Sequence, residues 1–352
     1  MALTLMKGSE AIAEAAIRAG ARFFFGYPIT PQTEIPEYMS ARMPEVGGCF
    51  LQAESEVAAI NMVYGAAGAG ARAMTSSSSP GISLKQEGIS YIACAELPCV
   101  IVNMVRSGPG LGGILASQCD YFQTVKGGGH GDYKLLTYAP STVQEAVDIL
   151  YYAFDKADEY RTPVCILGDG LLGQIMEPVT FPEMKEMPDP STKSWAVTGT
   201  HHGKDKTLAS SIYIDPNLGE AQNNHLVEKF ERIAQKETQC EEFMCDDAEI
   251  ILTGYGSVGR IIKSAIYMLR EKGIKAGLVR PITLMPFPTK VYEKYAAKAS
   301  VKRFLTVELS MGQFVEDVKL SVMGKKPVDL FTRCGGNIMT PEDVVEKVME
   351  VK

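Results

Sequence analysis

The chain has 352 residues, of which 46% are hydrophobic and 22% charged, with a formal net charge of −7 at pH 7. This length predicts about two globular domains, and the composition excludes a disordered or collagen-like chain. The acidic balance argues against nucleic acid and anionic membranes as partners, because such binding depends on clustered lysine and arginine. No leader pattern and no run of ~18 apolar residues is present, so we expect a cytoplasmic protein without a membrane span.

In chain order, short apolar runs alternate with stretches of helical periodicity through the first half of the sequence. Helices are predicted between most of these runs, for example over Ser9–Ala19 and Thr142–Ala157. The alternation predicts a parallel sheet whose faces are covered by helices. The predicted strands of this half are Arg22–Phe25, Cys49–Gln52, Arg72–Thr75, Val100–Val105, Lys134–Tyr138 and Val164–Leu167.

The first two strands are followed by segments that could bind a ligand. Thr30 is predicted as the N-cap of the next helix, with Pro31 at the first helical position. Gln52–Glu56 ends the second strand and opens a helix over Val57–Gly70 that is rich in alanine and glycine. An acid at the buried junction of this strand and helix could share a proton with a ligand nitrogen, or it could simply complement the helix dipole.

The third strand ends in a run of hydroxyls, Thr75–Gly81, and the fourth in a glycine-rich loop, Val105–Gly113, that carries Arg106. Taken singly, each segment is typical of a surface turn. The carboxyl ends of parallel strands share one edge, where open α/β sheets bind ligands, so we expect Arg106 to join the other loops there. Its guanidinium could then grip a carboxylate through two hydrogen bonds.

From Pro178 to about Asp247 the pattern breaks, which predicts a linker that contains one helix, Glu220–Lys236. A second β/α unit follows. We therefore predict an α/β protein of two doubly wound parallel-sheet domains, residues 1–181 and 247–352, joined by a linker over residues 182–246. The elements of the second unit are strands Glu249–Thr253, Lys275–Val279, Arg303–Val307 and Val328–Phe331 and helices Val258–Lys272 and Thr289–Ala299, with a last helix near the end of the chain.

Gly254–Gly259 has the G-x-G-x-x-G spacing between a strand and a helix, as in dinucleotide-binding proteins. The acid that would hold a ribose hydroxyl is missing from the end of the next strand, where Arg280 stands instead. This disfavours NAD and leaves two interpretations. One is a structural strand–turn–helix, and the other is an NADP-dependent oxidoreductase in which Arg280 holds the phosphate.

Gly168–Gly170 is similar to the start of the thiamine diphosphate signature, in which an Asp and a later Asn hold the metal ion. No Asn follows at the spacing that the signature requires, so we interpret this segment as a turn. The eight cysteines are scattered without a cluster motif, and Cys240 and Cys245 lack a nearby His that could complete a metal site. We expect neither a metal ion nor an iron–sulfur cluster on this chain.

Several of these segments, in this order and spacing, resemble the α subunit of 2-oxoacid:ferredoxin oxidoreductases. The segments that carry the resemblance are Tyr27–Pro31, Gln52–Glu56, Thr75–Gly81 and Val105–Pro109. Gly254–Ser257 and Val279–Pro288 resemble the family's second domain, which is similar to the carboxyl-terminal domain of transketolase. Gly127–Tyr133 is most similar to the 3-methyl-2-oxobutanoate (2-oxoisovalerate) type, with the 2-oxoglutarate type next.

The resemblance implies that the first domain is a pyrimidine-binding domain for thiamine diphosphate. Glu56 matches the acid that hydrogen-bonds the aminopyrimidine ring, and Glu54 is the competitor if the register of the match slips. Such an acid can protonate the ring and thereby activate the cofactor toward the 2-oxo carbon. By the same match, the other site residues are Tyr27, Ser77, Ser78 and Ser79 at the cofactor and Thr30 and Arg106 at the substrate carboxylate.

The resemblance also implies oxidative decarboxylation of a 2-oxoacid, which yields an acyl-CoA, carbon dioxide and reduced ferredoxin. A β subunit would hold the diphosphate and Mg²⁺, and a ferredoxin-like subunit the iron–sulfur clusters, within a complex of anaerobic metabolism. Three alternatives stay open: a 2-oxoglutarate-specific member, the NADP-dependent oxidoreductase, and an assembly or regulatory subunit without a cofactor. The sequence alone gives His130, in its glycine-rich loop, no role beyond that of a solvated side chain.

Overall fold

The computed structural model describes residues 3–199 and 206–351, and strands alternate with helices through most of them. The strands are β1 (Thr4–Lys7), β2 (Phe23–Gly26), β3 (Cys49–Gln52), β4 (Ala73–Ser77), β5 (Cys99–Val105), β6 (Leu136–Tyr138), β7 (Pro163–Asp169), β8 (Met176–Val179), β9 (Cys240–Phe243), β10 (Ile250–Thr253), β11 (Ala276–Pro281), β12 (Thr283–Met285), β13 (Arg303–Glu308) and β14 (Val328–Thr332). The helices are α1 (Gly8–Arg18), α2 (Glu34–Glu45), α3 (Glu56–Gly68), α4 (Ser79–Cys94), α5 (Tyr121–Val125), α6 (Val143–Tyr160), α7 (Gly170–Gln174), α8 (Pro216–Glu237), α9 (Ser257–Glu271), α10 (Thr289–Ala297), α11 (Phe314–Val322) and α12 (Pro341–Val351).

Within these residues, the larger sheet contains seven strands in the spatial order β12-β6-β7-β5-β4-β2-β3. The six strands from the first half of the chain run parallel, and β12 joins the edge antiparallel to β6. Helices α1, α2 and α6 cover one face, and α3 and α4 cover the other. The central strands β5 and β7 are buried along their whole length, as expected for strands covered on both faces. The predicted doubly wound α/β class is confirmed.

The strand order of the larger sheet reverses at β2. This strand pairs with β3 on one side and with β4 on the other, while α2 and α3 pack on opposite faces of the sheet. At such a reversal the carboxyl ends of the strands border a crevice, which is where open α/β sheets bind ligands. The loops that leave β2 and β4 therefore border the crevice of this domain.

The smaller sheet comes from the second half of the chain and has the order β14-β13-β10-β11-β9. Its strands are parallel except for β9, which lies antiparallel to β11 at the edge. Helices α9 and α12 cover one face, and α10 and α11 cover the other. A separate antiparallel pair of strands, β1 and β8, lies outside both sheets.

The two sheets are held together by pairing and by buried hydrogen bonds. Strand β12 follows β11 closely in the chain yet pairs with β6 of the larger sheet. The buried side chain of Gln118 donates from Nε2 to Tyr255 O at 3.0 Å, and its Oε1 accepts from Leu309 N at 3.0 Å. One glutamine from the first domain thus satisfies two backbone groups of the second.

Several features of the fold differ from the predictions. No strand was predicted at β1, β8, β9 or β12, because runs of three or four residues carry too little alternation to stand out. Gly168–Gly170 is not a free turn, since Asp169 ends β7 and accepts a hydrogen bond from Leu172 N at 2.9 Å as the N-cap of α7. The signature-like segment is therefore a direct strand-to-helix junction.

Thr30 is not the N-cap of a helix, and Pro31 is not a first helical residue. The Thr30–Pro31 peptide is cis, and α2 begins only at Glu34. Gln32 N donates to Ile29 O at 3.1 Å, so the residues between β2 and α2 form a turn. Proline is favoured both in turns and at helix starts, which is why the sequence pattern suggested the helix. The Thr30 side chain is exposed.

Candidate functional site

The loop after β2 is tied to the end of β4. Gln32 donates from Nε2 to Tyr27 O at 3.3 Å, and its Oε1 accepts a short hydrogen bond from Ser76 Oγ. Gln32 and Ser76 are buried, whereas the side chains of Tyr27 and Thr30 are exposed. The buried anchor therefore fixes the backbone of the loop and leaves its two predicted site residues facing outward.

Glu56 stands at the first position of α3, at the mouth of the larger sheet. Ser55 caps the helix by accepting a hydrogen bond from Ala58 N at 3.1 Å. The Glu56 side chain is 6% exposed, while Glu54 is exposed to solvent. Of the two acids that the sequence offered, only Glu56 has a carboxyl group inside the protein.

Gly81, on the first turn of α4, makes room for two of the predicted site residues. A Cβ atom at this position would lie 2.6 Å from Glu56 Oε1 and still closer to Ser77 Oγ. Among the described residues, Ser77 Oγ and the neighbouring Ser78 Oγ are buried without a hydrogen-bond partner. Buried hydroxyls normally have hydrogen-bond partners. These two serines could therefore still bond a ligand beside the buried acid.

Arg106 is buried and held by the surrounding backbone. Its Nη1 donates to Thr30 O at 3.0 Å and its Nη2 to Leu111 O at 2.8 Å, while Nε has no partner among the described residues. Arg106 N donates to Ser79 Oγ at 3.0 Å. The structure thus links Thr30, Ser79 and Arg106 directly, and it places Ser77 and Ser78 just before Ser79 in the same chain segment.

Lys85, on α4 four residues after Gly81, is buried next to this group of polar residues. It was not predicted as a site residue. Its side chain is fully buried, and Nζ donates to Thr75 Oγ1 at 2.6 Å and to Ser76 O at 3.0 Å. Burial lowers the pKa of Lys85 to about 7, and the nearby charge of Glu56 opposes that shift. In the sequence, Lys85 stands among isoleucines at helical spacing on α4, which is the signal that could have placed it inside.

Asn103 and Asp120 form a second buried polar pair beside the site. Asn103 accepts at Oδ1 from Ser79 N at 3.2 Å and donates from Nδ2 to Asp120 Oδ2 at 2.9 Å. Burial raises the pKa of Asp120, and its hydrogen bonds to Asn103 and Ser79 oppose the rise. One signal in the sequence could have found this pair, namely an asparagine inside the apolar run of β5. The pair fixes the start of α4, next to Arg106.

Two family models match the chain over most of its length. The model described as "Pyruvate flavodoxin/ferredoxin oxidoreductase, thiamine diP-bdg" matches residues 14–241. The model described as "Pyruvate:ferredoxin oxidoreductase core domain II" matches residues 248–344. The ketoisovalerate oxidoreductase subunit VorB of Methanothermobacter thermautotrophicus is 50% identical over 351 residues, which cover 100% of this chain and 98% of that protein. The chain belongs to the 2-oxoacid:ferredoxin oxidoreductase family.

Other relatives in the 2-oxoacid:ferredoxin oxidoreductase family are more distant. The 2-oxoglutarate synthase subunit KorA of the same organism is 34% identical over 98% of each chain. The structure of the 2-oxoglutarate:ferredoxin oxidoreductase from Magnetococcus marinus, with 2-oxoglutarate, coenzyme A and succinyl-CoA bound, superposes with a TM-score of 0.88 at 26% identity. It covers 99% of this chain, which spans 65% of that chain. An inactive split-gene transketolase tetramer shares the fold alone, with a TM-score of 0.59 at 13% identity.

In this member of the 2-oxoacid:ferredoxin oxidoreductase family, Gly254–Gly259 forms the structural strand–turn–helix, from β10 into α9. Ser257 Oγ, at the first position of α9, donates to the carboxylate of Asp169 in the first domain. Burial raises the pKa of Asp169, and the bond from Ser257 opposes that rise. The turn that would hold a dinucleotide phosphate is therefore packed against a carboxyl group.

Arg280, which the NADP alternative required, is engaged elsewhere. It is buried and donates from Nη2 to Glu145 Oε1 at 2.7 Å and from Nε to Glu241 Oε2 at 2.6 Å. A phosphate would have to displace these two carboxylates and would also meet their negative charge. Together with membership of the 2-oxoacid:ferredoxin oxidoreductase family, this geometry sets the NADP-dependent reading of Gly254–Gly259 aside.

Within residues 3–199 and 206–351, no group of three or more His, Cys, Asp or Glu side chains could hold a metal ion. The eight cysteines are free, with Cys240 half-buried and Cys245 buried. No helix among the described residues is both long and apolar enough to cross a bilayer.

His130 is exposed in its glycine-rich loop.

Proposed function

We propose that this chain holds the aminopyrimidine half of thiamine diphosphate in a 3-methyl-2-oxobutanoate:ferredoxin oxidoreductase and receives the 2-oxoacid beside it. The observation that carries the choice of substrate is its 50% identity to a ketoisovalerate oxidoreductase subunit, against 34% to a 2-oxoglutarate synthase subunit. Both alignments cover 98% or more of the chain, so the difference does not come from partial matching.

The polar cluster beside Gly81 fits the edge of an aminopyrimidine ring. Glu56 offers a buried carboxyl group, which can share a proton with a ring nitrogen. Ser77 Oγ and Ser78 Oγ, buried without partners among the described residues, can accept from or donate to the polar atoms of the ring. Tyr27, exposed at the rim, completes the set of residues that we assign to the cofactor.

When bound, thiamine diphosphate supplies a nucleophilic carbon and accepts the electron pair that carbon dioxide leaves behind. Glu56 would donate its carboxyl proton to the ring nitrogen and could take it back from that atom. Its place at the first position of α3 favours the carboxylate that remains after the transfer, because a helix N-terminus stabilises negative charge. Proton transfer by a positioned acid typically contributes ~10²–10⁴ in rate.

We assign the substrate carboxylate to Arg106 and Thr30. Two backbone carbonyls fix the guanidinium plane of Arg106, and its buried Nε–H has no partner among the described residues. An anion placed there would satisfy that donor through a charge-assisted hydrogen bond. The exposed Thr30 hydroxyl belongs to the residue whose carbonyl already binds Arg106, so both groups can serve one carboxylate and orient the adjacent 2-oxo carbon.

A groove of about 540 Å³ borders Thr30 and supports an aliphatic substrate. Its wall includes Ile114, Leu115 and Leu171, with the carboxylate of Glu34 at one side. An isopropyl group would contact this wall, whereas the second carboxylate of 2-oxoglutarate would share the groove with Glu34. The solved relative with 2-oxoglutarate bound keeps that acid as the second candidate.

Exposed apolar side chains next to the site support a partner subunit. Leu111 is 80% exposed and Met311 76% exposed, and Ile114 and Leu115 are also exposed. Apolar patches of this kind commonly mark protein interfaces. We propose that a β subunit with the diphosphate and Mg²⁺ covers them, and that a ferredoxin-like iron–sulfur subunit passes electrons to ferredoxin. Coenzyme A would accept the acyl group, and the complex would work in the cytoplasm.

The test is an assay of the complex co-expressed with its partner subunits, supplied with thiamine diphosphate, Mg²⁺, coenzyme A and methyl viologen. We expect viologen reduction that requires both a 2-oxoacid and coenzyme A. The kcat/KM for 3-methyl-2-oxobutanoate should exceed that for 2-oxoglutarate and pyruvate by at least about tenfold. Fastest turnover of 2-oxoglutarate would favour the second candidate. No reduction by an assembled, cofactor-loaded complex would indicate a non-catalytic assembly or regulatory subunit.

A further inference from the structure

A fully buried lysine lies one helical turn beyond the glycine against which Glu56 packs. Lys85 follows Gly81 by four residues on α4, so the two positions share a helix face, and α4 packs against α3, which carries Glu56. The hydrogen bonds of Nζ go to Thr75 Oγ1 and Ser76 O, which are both uncharged. The charged side chain that acts on Lys85 is Glu56.

A hydrocarbon side chain would suit this position better if packing were its only task. The amine lies inside the core of α3 and α4, where Ile82 and Ile89 are its buried neighbours along the helix. Burial of an ammonium group with neutral partners destabilises the folded state, and two hydrogen bonds offset only part of that loss. We therefore expect the amine to have a function that a methionine or leucine side chain could not perform.

We propose that Lys85 is a positioning residue that acts through Glu56. Its cationic form stabilises the Glu56 carboxylate and lowers the pH at which Glu56 and a bound aminopyrimidine release the proton they share. The inference rests on the proposed role of Glu56. In the transfer itself the O–H bond of Glu56 breaks as an N–H bond forms on the ring, and Lys85 neither gains nor loses a bond.

The direction of the effect follows from charge. With the shared proton present, Glu56 and the ring together are neutral, and without it they carry one negative charge, which a nearby cation favours. The same core also contains the phenols of Tyr64 and Tyr133, and the carboxyl group of Asp120 lies at the start of α4, bonded to Asn103. Strands β5 and β7, which α4 packs against, contribute the thiols of Cys99 and Cys165. Burial raises their pKa values to about 12, so they stay uncharged at neutral pH.

The experiment measures proton uptake when thiamine diphosphate and Mg²⁺ bind to the assembled apo-complex. Calorimetric titrations in two buffers of different ionisation enthalpy, from pH 5 to 8, give the number of protons taken up at each pH and include the range below about pH 7 in which Lys85 is cationic. For Lys85→Met, the pH at which this uptake falls to half its maximum should rise by about one unit relative to wild type. The basic limb of the kcat/KM profile should shift in the same direction.

Two further variants separate charge from packing. Lys85→Gln keeps a hydrogen-bond donor without charge and should shift the midpoint as Lys85→Met does. Lys229→Met removes another buried lysine, one paired with Glu96 at 3.0 Å, and should leave the midpoint unchanged. An unshifted midpoint in Lys85→Met, or a shift in Lys85→Met that Lys85→Gln does not share, would overturn the proposal.

Glu56→Gln distinguishes a failure of this inference from a failure of the proposed function. If Glu56→Gln abolishes proton uptake while Lys85→Met leaves the midpoint in place, Glu56 keeps its role and only the assignment of Lys85 fails. If Glu56→Gln keeps the wild-type uptake, the acid of the site is another residue, and the proposed role of Glu56 fails with it.

Discussion

Glu56 is a buried acid whose proposed task is to give up a proton, and glutamine has its size without that ability. Glu56→Gln should therefore lower kcat by ~10²–10⁴-fold while the complex still assembles. Viologen reduction by the purified complex measures the loss. Glu54→Gln, two residues earlier and exposed, is the matched control and should leave kcat within about twofold. A Glu56→Gln enzyme with wild-type kcat would mean that the proton comes from another residue.

The burial of Lys85 also predicts how the free energy of unfolding depends on pH. Burial lowers its pKa from 10.5 to about 7, so between these values the unfolded chain binds a proton that the folded chain does not. The stability of the wild type should therefore rise with pH across this window, by up to ~1.4 kcal/mol per unit, and the full destabilisation should be present below pH 7. Lys85→Met should be more stable than wild type at pH 7, with a gap that narrows toward pH 10.

Urea unfolding followed by circular dichroism from pH 7 to 10 measures that gap. The control should change stability in the opposite direction. Lys229→Met removes one of two partners of the half-buried Glu96 carboxylate, the other being His225, so it should lower the urea midpoint. A constant difference between Lys85→Met and wild type over the whole range would show that Lys85 is protonated in the folded protein up to pH 10.

At the level of single residues, the sequence located the loops but not the direction of each side chain. Glu56 was chosen over Glu54 by the register of the resemblance alone, and only the structure shows that Glu56 is buried and Glu54 exposed. Lys85 was passed over because a lysine in a helix is ordinarily a surface residue. Its helical spacing relative to Ile82 and Ile89 was the available signal, and reading it required knowing which face of α4 is buried.

At the level of elements, the approach of α3 to α4 depends on Gly81. A Cβ atom there would lie 2.6 Å from Glu56 Oε1 and closer to Ser77 Oγ, so Gly81→Ala must displace one of them. We expect Gly81→Ala to lower stability by about 1–3 kcal/mol and to reduce thiamine diphosphate affinity. Urea unfolding and calorimetric titration of the complex measure the two effects.

Gly65→Ala is the matched control for that substitution. Gly65 lies inside α3, is exposed, and has nothing within 4 Å of the added Cβ. Since alanine is a better helix former, Gly65→Ala should raise stability by roughly 0.5–1 kcal/mol. Equal stabilities for Gly81→Ala and the wild type would mean that α4 can move away from α3 without cost, and Gly81 would then have no structural role.

The long, buried elements were predictable because their pattern is local. The seven-residue strands β5 and β7 and the 18-residue helix α6 carry enough apolar periodicity to be recognised alone. Strands β9 and β12 are stable only through their partners, and β12 pairs with β6 from a position more than a hundred residues away. Pairing between segments so far apart in the chain does not change the local pattern of apolar residues, so it could not be predicted from the sequence.

At the level of the whole molecule, the packing of the two domains explains a motif that the sequence left ambiguous. The spacing of Gly254–Gly259 predicts a tight strand–turn–helix, and this was correct, but spacing alone does not say what the turn contacts. Here Ser257 binds Asp169 from the first domain. Both segments that resembled cofactor signatures, Gly168–Gly170 and Gly254–Gly259, meet each other across the domain interface.

Gln118 provides a test of that interface. It is buried and bonds Tyr255 O and Leu309 N at 3.0 Å each, so Gln118→Ala would leave two backbone groups of the second domain buried without partners. Each such group costs about 1–3 kcal/mol, and we expect a total loss of roughly 2–4 kcal/mol in urea unfolding. Gln123→Ala is the control, because that glutamine bonds Ser83 Oγ at 2.8 Å near the surface and should cost no more than about 0.5 kcal/mol. If the two variants were equally stable, water would have to enter the interface and satisfy both backbone groups, and the domains would then be joined chiefly through β12.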